Sequence, residues 1–122
     1  MVADRAGSIL FRKSIGQFVI PRFGAACALW PLFSALSQPG QVIRTPVVQL
    51  GRSRAHFDCY AVAEVVAEAD YNTPPLIQAS MLLLPDAASA PADALEIGST
   101  CGVCPRTQCP GRREPSLLAD EF

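Results

Sequence analysis

Histidine, lysine and tryptophan each occur once in the 122 residues, and the formal net charge is only −1. With His56 as the lone histidine, a nucleophile paired with a general base has almost nothing to be built from. No catalytic motif is present either, so an enzyme is not expected. Near-zero net charge leaves no global field to draw the chain toward nucleic acid. No recognition-helix pattern is found, so this stretch by itself is not expected to bind an operator. No apolar run approaches the ~20 residues that cross a bilayer. The N-terminus lacks a basic segment followed by an apolar one. The expectation is therefore a cytoplasmic protein with no membrane partner.

What charge there is lies unevenly. From Met1 to Phe57 a single acid, Asp4, faces Arg5, Arg12, Lys13, Arg22, Arg44, Arg52 and Arg54; from Asp58 to Glu96 there are seven acids and no base. The first half could carry an anion-binding face, or the two halves could pair across the fold. Nearly all the bases are arginine, whose planar fork suits phosphate and carboxylate.

Half of the residues are hydrophobic, enough for a packed core in one domain over 1–122. Asp4-Arg5-Ala6-Gly7 reads as a turn and Ser8 to Lys13 as a strand. Ala25 to Gln38 has the best helical apolar face, with the helix proper starting near Trp30 and Pro31 in its first turn. Gln41 to Leu50 is strand-like, with Pro46 marking an edge or bulge. Gly51-Arg52-Ser53-Arg54 is a turn, and Leu50 to Tyr60 has hairpin spacing. His56 to Val66 reads as a long strand with Phe57, Cys59 and Ala61 on one face, although Ala63 to Ala69 could be helical. Ile77 to Leu84 suits a buried strand. Pro85 to Ala94 reads as a linker, and the tail after Pro115 as frayed. The expected class is α+β: a single antiparallel sheet with one main helix, PAS- or GAF-like, over 1–96, closed by a cysteine loop and tail over 97–122.

The most specific chemistry lies in that loop. Cys101-Gly102-Val103-Cys104-Pro105-Arg106-Thr107-Gln108-Cys109 places three thiols in a C-x2-C-x4-C pattern. In a chain without a secretion signal, clustered cysteines mean metal or redox chemistry more often than disulfides. A tetrahedral site needs a fourth ligand. Cys27 is the first choice, because a position just before a helix favours a thiolate. Cys59 reads as a small buried hydrophobe, and His56 is the other conceivable ligand. Zinc and iron–sulfur both accept four thiolates. Three ligands on one loop with a remote fourth lean toward a [4Fe–4S] cluster, with zinc as the alternative.

The two cysteine segments together resemble the C-terminal domain of the short-chain fatty acyl transcriptional regulators. The residues that carry the resemblance are Arg22-Phe23-Gly24-Ala25-Ala26-Cys27-Ala28-Leu29-Trp30-Pro31-Leu32, Pro39-Gly40 and Gly98-Ser99-Thr100-Cys101 through Pro110. In that bacterial family a helix-turn-helix domain comes first, a metallopeptidase-like segment follows, and this domain ends the chain. Ala28 stands where the family often has proline, and Gly111-Arg112-Arg113-Glu114-Pro115 departs from its aromatic-containing ending. The resemblance implies a sensor of acyl-CoA thioesters that regulates short-chain fatty acid metabolism, with DNA contacted only through an absent N-terminal part and a homodimer left open. Coenzyme A needs arginines for its phosphates and an aromatic or apolar slot. Arg22, Arg44, Arg52 and Arg54 are candidates for the first, and Phe23, Trp30, Phe57 and Tyr60 for the second. The competing expectation is a structural metal-binding domain for protein–protein interaction, without a small-molecule ligand.

Overall fold

The computed structural model describes residues 1–13, 15–22, 24–85 and 92–118. Among them lie strands β1 (Val2–Asp4), β2 (Ile9–Phe11), β3 (Ile43–Leu50), β4 (Arg54–Ala67), β5 (Leu76–Pro85) and β6 (Leu95–Ile97). A four-residue helix, α1 (Pro31–Ser34), continues as a 3-10 turn over Ala35–Ser37. The strands form one sheet in the order β2-β1-β5-β4-β3-β6.

Strand β4 shows why the sheet forms. Ala55, Phe57, Cys59, Ala61 and Ala63 are all buried, while His56, Asp58, Tyr60 and Val62 between them are only half-buried. That period of two puts one set of side chains on the core face and the other on the outer face. The Gly51–Ser53 turn returns β3 onto β4 in antiparallel register, Val47 opposite Phe57. Strand β4 runs through Ala67 with no helical end, and pairs with β5, Cys59 opposite Leu83. The expected all-antiparallel sheet is corrected at one edge: β6 lies parallel to β3, Val48 beside Glu96, so the sheet is mixed. Strand β6 pairs only with Val47, Val48 and Gln49. Pro46, which has no N–H to donate, sits just beyond that pairing.

Two expectations about elements change. Strand β5 alternates instead of being buried throughout: Ala79 and Met81 face the core, whereas Leu82 is 59% exposed. The helix starts where expected, after Trp30, but only four residues are α-helical before the 3-10 turn. Pro31 occupies its first position, and Trp30 before it is held extended at φ −59° and ψ 136°, as a residue preceding proline prefers. The Pro85–Ala94 linker falls largely outside the described residues.

The core lies between the helix side and the inner face of the sheet. Trp30 is fully buried at its centre, its ring centroid 5.2 Å from Phe18 and 6.1 Å from Phe33 in a stacked arrangement. Phe18 also meets Phe57 edge-on at 5.3 Å. The indole N–H donates to the Gly98 carbonyl at 2.6 Å. This pins the approach to the cysteine loop directly onto the core.

Candidate metal centre and adjoining cavity

The loop meets the segment before α1 through its backbone. The Cys27 N–H donates to the Ser99 carbonyl at 2.9 Å, and the Gly98 N–H donates to Cys27 Sγ at 3.4 Å. Arg113 reaches across to the Ala26 carbonyl. A short 3-10 turn, Cys101–Val103, follows, and the Cys104 N–H donates to the Cys101 carbonyl at 3.3 Å. Gln108 takes a left-handed φ of 54° just before Cys109, a costly conformation for a residue with a Cβ. Arg106 donates to the Glu96 carbonyl at 2.7 Å, tying the loop to β6.

Cys27 and Cys104 are buried, while Cys101 and Cys109 are half-buried. Burial pushes the Cys27 thiol up in pKa. The N–H groups of Gly98 and Leu29 oppose that shift, and the nearby Cys104 and Cys109 thiolates add to it. The expectation that a helix start would stabilise this thiolate is thus corrected: α1 is one turn long, and desolvation wins. Burial also acts upward on Cys101, but the N–H and guanidinium of Arg113 outweigh it and hold that thiol below its ordinary value.

Among the described residues no group of three or more histidine, cysteine, aspartate or glutamate side chains stands close enough to hold a metal ion. What the geometry shows is the Cys27 segment hydrogen-bonded to the backbone that leads into the cysteine loop, without a formed coordination sphere. His56 lies on the outer face of β4, whereas Cys27 belongs to the core on the inner face. Cys59 is fully buried on the core face, its pKa pushed up to about 12 by desolvation and then by Asp58. In metal-free native protein, alkylation monitored by mass spectrometry should therefore modify Cys101 before Cys27, and Cys59 only on unfolding. Early modification of Cys59 would contradict its placement in the core.

The candidate ligand-binding side chains that the structure describes are not brought together. Trp30 is core and offers no free ring face. Tyr60 is on the outer face, with the Arg44 guanidinium 5.9 Å from its ring centroid. Arg44 in turn pairs with Asp58 at 2.8 Å, the one ion pair among the described residues. Phe57 is core, Phe23 lies outside the described residues, and Arg22 and Arg54 are exposed. Tyr60 lines an outer-face pocket of about 290 Å³ with Phe11, Val42 and Leu82, whereas Arg52 lines a different cavity of about 310 Å³, with mostly apolar walls that include Val19, Gln49, Leu50, Ser99 and Val103.

Gln49, missed in the sequence, is 4% exposed. Its amide exchanges two hydrogen bonds with the Val19 backbone, at 2.8 and 2.9 Å, and donates to the Gly98 carbonyl at 3.3 Å. A glutamine inside Val47-Val48-Gln49-Leu50 was the available signal, because a polar group in a buried run must find partners. Val103 and Ser99 belong to both the cavity wall and the cysteine loop.

Residues 1–79 match the family described as short-chain fatty acyl coenzyme A regulator, C-terminal. The chain is 31% identical over 133 aligned positions to the HTH-type transcriptional regulator PrpR of Mycobacterium tuberculosis. It is 28% identical over 126 positions to the propionyl-CoA carboxylase regulator of Cereibacter sphaeroides, and 28% over 128 positions to the HTH-type transcriptional regulator RamB of M. tuberculosis. Each alignment covers 93% of this chain but only 26–27% of the relative. The chain thus spans about a quarter of the length of those relatives. A solved M. tuberculosis transcriptional regulator shares the fold with a TM-score of 0.76 at 24% identity, over 95% of this chain and 38% of that one.

Proposed function

Because the chain belongs to the short-chain fatty acyl coenzyme A regulator family, we propose that it is the C-terminal sensing part of a bacterial transcriptional regulator of short-chain fatty acid metabolism. In this reading it binds an acyl-CoA thioester and holds a metal centre on Cys27, Cys101, Cys104 and Cys109. The observation that carries the centre is the docking of the cysteine loop onto the Cys27 segment through Gly98, Ser99 and Arg113. Four thiols suit a [4Fe–4S] cluster, or zinc as the alternative. Such a group would cross-link the last segment to the core and make that link dependent on metal supply or redox state. Arg113 places positive charge beside Cys101 and favours its thiolate.

The cavity beside the loop is the best candidate for the acyl end of the ligand. Its volume is at the small end for ligand sites, which suits a short chain, and Arg52 supplies a donor for a ligand oxygen. A sheet with its helix on one face is the frame of a PAS- or GAF-type sensor, here closed by the cysteine loop as part of one domain over 1–122. DNA would be contacted through a helix-turn-helix part outside this chain, and no catalytic role is assigned.

A second reading, a metal-stabilised domain for protein–protein interaction, is favoured by the outer sheet face. Leu82 is 59% exposed and Leu84 44%, and Val42 beyond the start of β3 is 65% exposed. A homodimer through this face is the simplest form of it.

The test is metal content and ligand response of anaerobically purified protein. A brown chromophore with iron and sulfide supports the cluster, while a colourless protein with about one zinc per chain supports zinc. Absence of both metals sinks the centre. Propionyl-CoA must raise the melting midpoint if it binds the native state. No shift at saturating ligand removes the acyl-CoA reading and leaves the interaction domain.

A further inference from the structure

The cysteine loop is built around a side chain that follows it. Arg112 Nη1 donates to the Cys101 carbonyl at 2.8 Å and to the Glu114 carbonyl at 3.5 Å. Its Nη2 donates to the Cys104 carbonyl at 3.1 Å and to the Arg106 carbonyl. The four N–H bonds of the two terminal nitrogens thus meet four carbonyls. Three of these belong to the loop itself. Carbonyl oxygens drawn to one point repel one another and, once shielded from water, need donors. A planar guanidinium supplies them in a fixed fork, which an ammonium cannot copy.

The residues around Arg112 reinforce the arrangement. The Leu117 N–H donates to the Gly102 carbonyl at 2.9 Å, and Ser116, 3% exposed, caps the Leu118 N–H at 3.0 Å. A methyl group on Gly102 would stand 3.1 Å from Glu114 Oε1. The tail is thus tied to the loop by the Leu117 hydrogen bond, although Leu117 and Leu118 keep exposed side chains, where a frayed tail was expected; residues 119–122 lie outside the description.

We infer that Arg112 is the positioning residue of the cysteine loop, and that its guanidinium gives the loop its shape before any metal arrives. The shape stands on the hydrogen bonds alone. The consequence for metal affinity rests on the four-cysteine reading: a loop already closed loses less conformational entropy when it takes up a metal.

Hydrogen exchange on the metal-free chain, together with Co²⁺ titration followed by thiolate-to-metal absorption, tests this. In Arg112→Gln and in Arg112→Lys, the amides of Val103, Cys104 and Leu117 should lose protection while those of β4 and β5 keep theirs. Co²⁺ affinity should fall by about 10–100-fold, the scale for groups that orient metal ligands. Lysine should not rescue. Wild-type loop protection and wild-type Co²⁺ affinity in Arg112→Gln overturn the inference, as does full rescue by lysine. Loss of protection throughout β4 and β5 also counts against it, because the role claimed is local. A wild-type chain that binds no Co²⁺, yet loses loop protection in Arg112→Gln, refutes the metal reading and supports the positioning role.

Discussion

Gly98→Ala is expected to strip the cysteine loop of its native packing through one added methyl group. The new carbon would stand 2.7 Å from Cys104 Sγ and 2.8 Å from Cys104 Cβ. The second contact decides the outcome. A sulfur can swing to another rotamer, but a Cβ moves only with its backbone. That backbone is held by the Cys101 carbonyl and by Arg112. Gly98 does not have a positive φ, so alanine meets no conformational penalty and the cost is overpacking, roughly 1–3 kcal/mol. Relief can come only by moving Cys104 away from Cys27, or by moving the Gly98 peptide off the Trp30 indole and Cys27 Sγ. The thermal midpoint should fall, and on the proposed four-cysteine centre metal content per chain should fall sharply with it. Gly51→Ala is the matched control: nothing lies within 4 Å of its added carbon, so stability should change by no more than about 0.5 kcal/mol. Wild-type metal content and melting in Gly98→Ala would show that Cys104 does not pack against this peptide.

The strands were legible where one face is buried and the other is not. Ala55 to Ala63 alternates cleanly, and a glycine turn precedes it, so the β3–β4 hairpin follows from pattern and turn chemistry alone. Strands β1 and β6 were not legible, and the reason is physical. Each is three residues long, and each forms by pairing with a distant segment, Ala3 with Ala79 and Val48 with Glu96. Neither carries a local signal strong enough to stand alone. The helix start near Trp30 was legible from Pro31, but the length was overread, because the apolar period runs on to Gln38 while the α-helix gives way to a 3-10 turn after Ser34. The Cys27 N–H is also spent on Ser99, a partner 72 positions away. Long-range backbone bonds of that kind override a local period.

The candidate site was legible in its thiols and opaque in its supports. Cysteine spacing is a local property, and it drew attention to Cys101, Cys104 and Cys109, with Cys27 added from its expected place just before a helix and from the need for a fourth ligand. The groups around them, Gly98, Gln49, Arg112 and Arg113, bond mainly to backbone atoms. A carbonyl or an N–H has the same chemistry at every position, so no residue type advertises the bond. The arginines illustrate this most directly. Arg22, Arg44, Arg52 and Arg54 read as candidates for phosphate binding, while Arg106, Arg112 and Arg113, which were given no role, all donate to peptide carbonyls.

Trp30 sharpens the same point and yields the largest stability effect. An aromatic slot for adenine needs an open ring face. Trp30 instead has no exposed surface, with Phe18 and Phe33 against it. Trp30→Ala should cost about 3–5 kcal/mol, the range for removing a large buried aromatic. Set against a total of roughly 5–15 kcal/mol for a domain, that leaves a marginal fold. Chemical denaturation should show a large fall in midpoint with little change in slope. Trp30→Phe separates packing from hydrogen bonding, because it keeps an aromatic ring and removes the N–H. It leaves the Gly98 carbonyl with the longer Gln49 bond alone, a loss of about 1–3 kcal/mol. Because Gly98 also donates to Cys27 Sγ, this variant should loosen the cysteine loop in hydrogen exchange before the sheet is affected. A ligand-stacking tryptophan would behave in the opposite way. Trp30→Phe would then weaken acyl-CoA binding at unchanged stability, and that result would overturn the placement of Trp30 as the post on which the loop is hung.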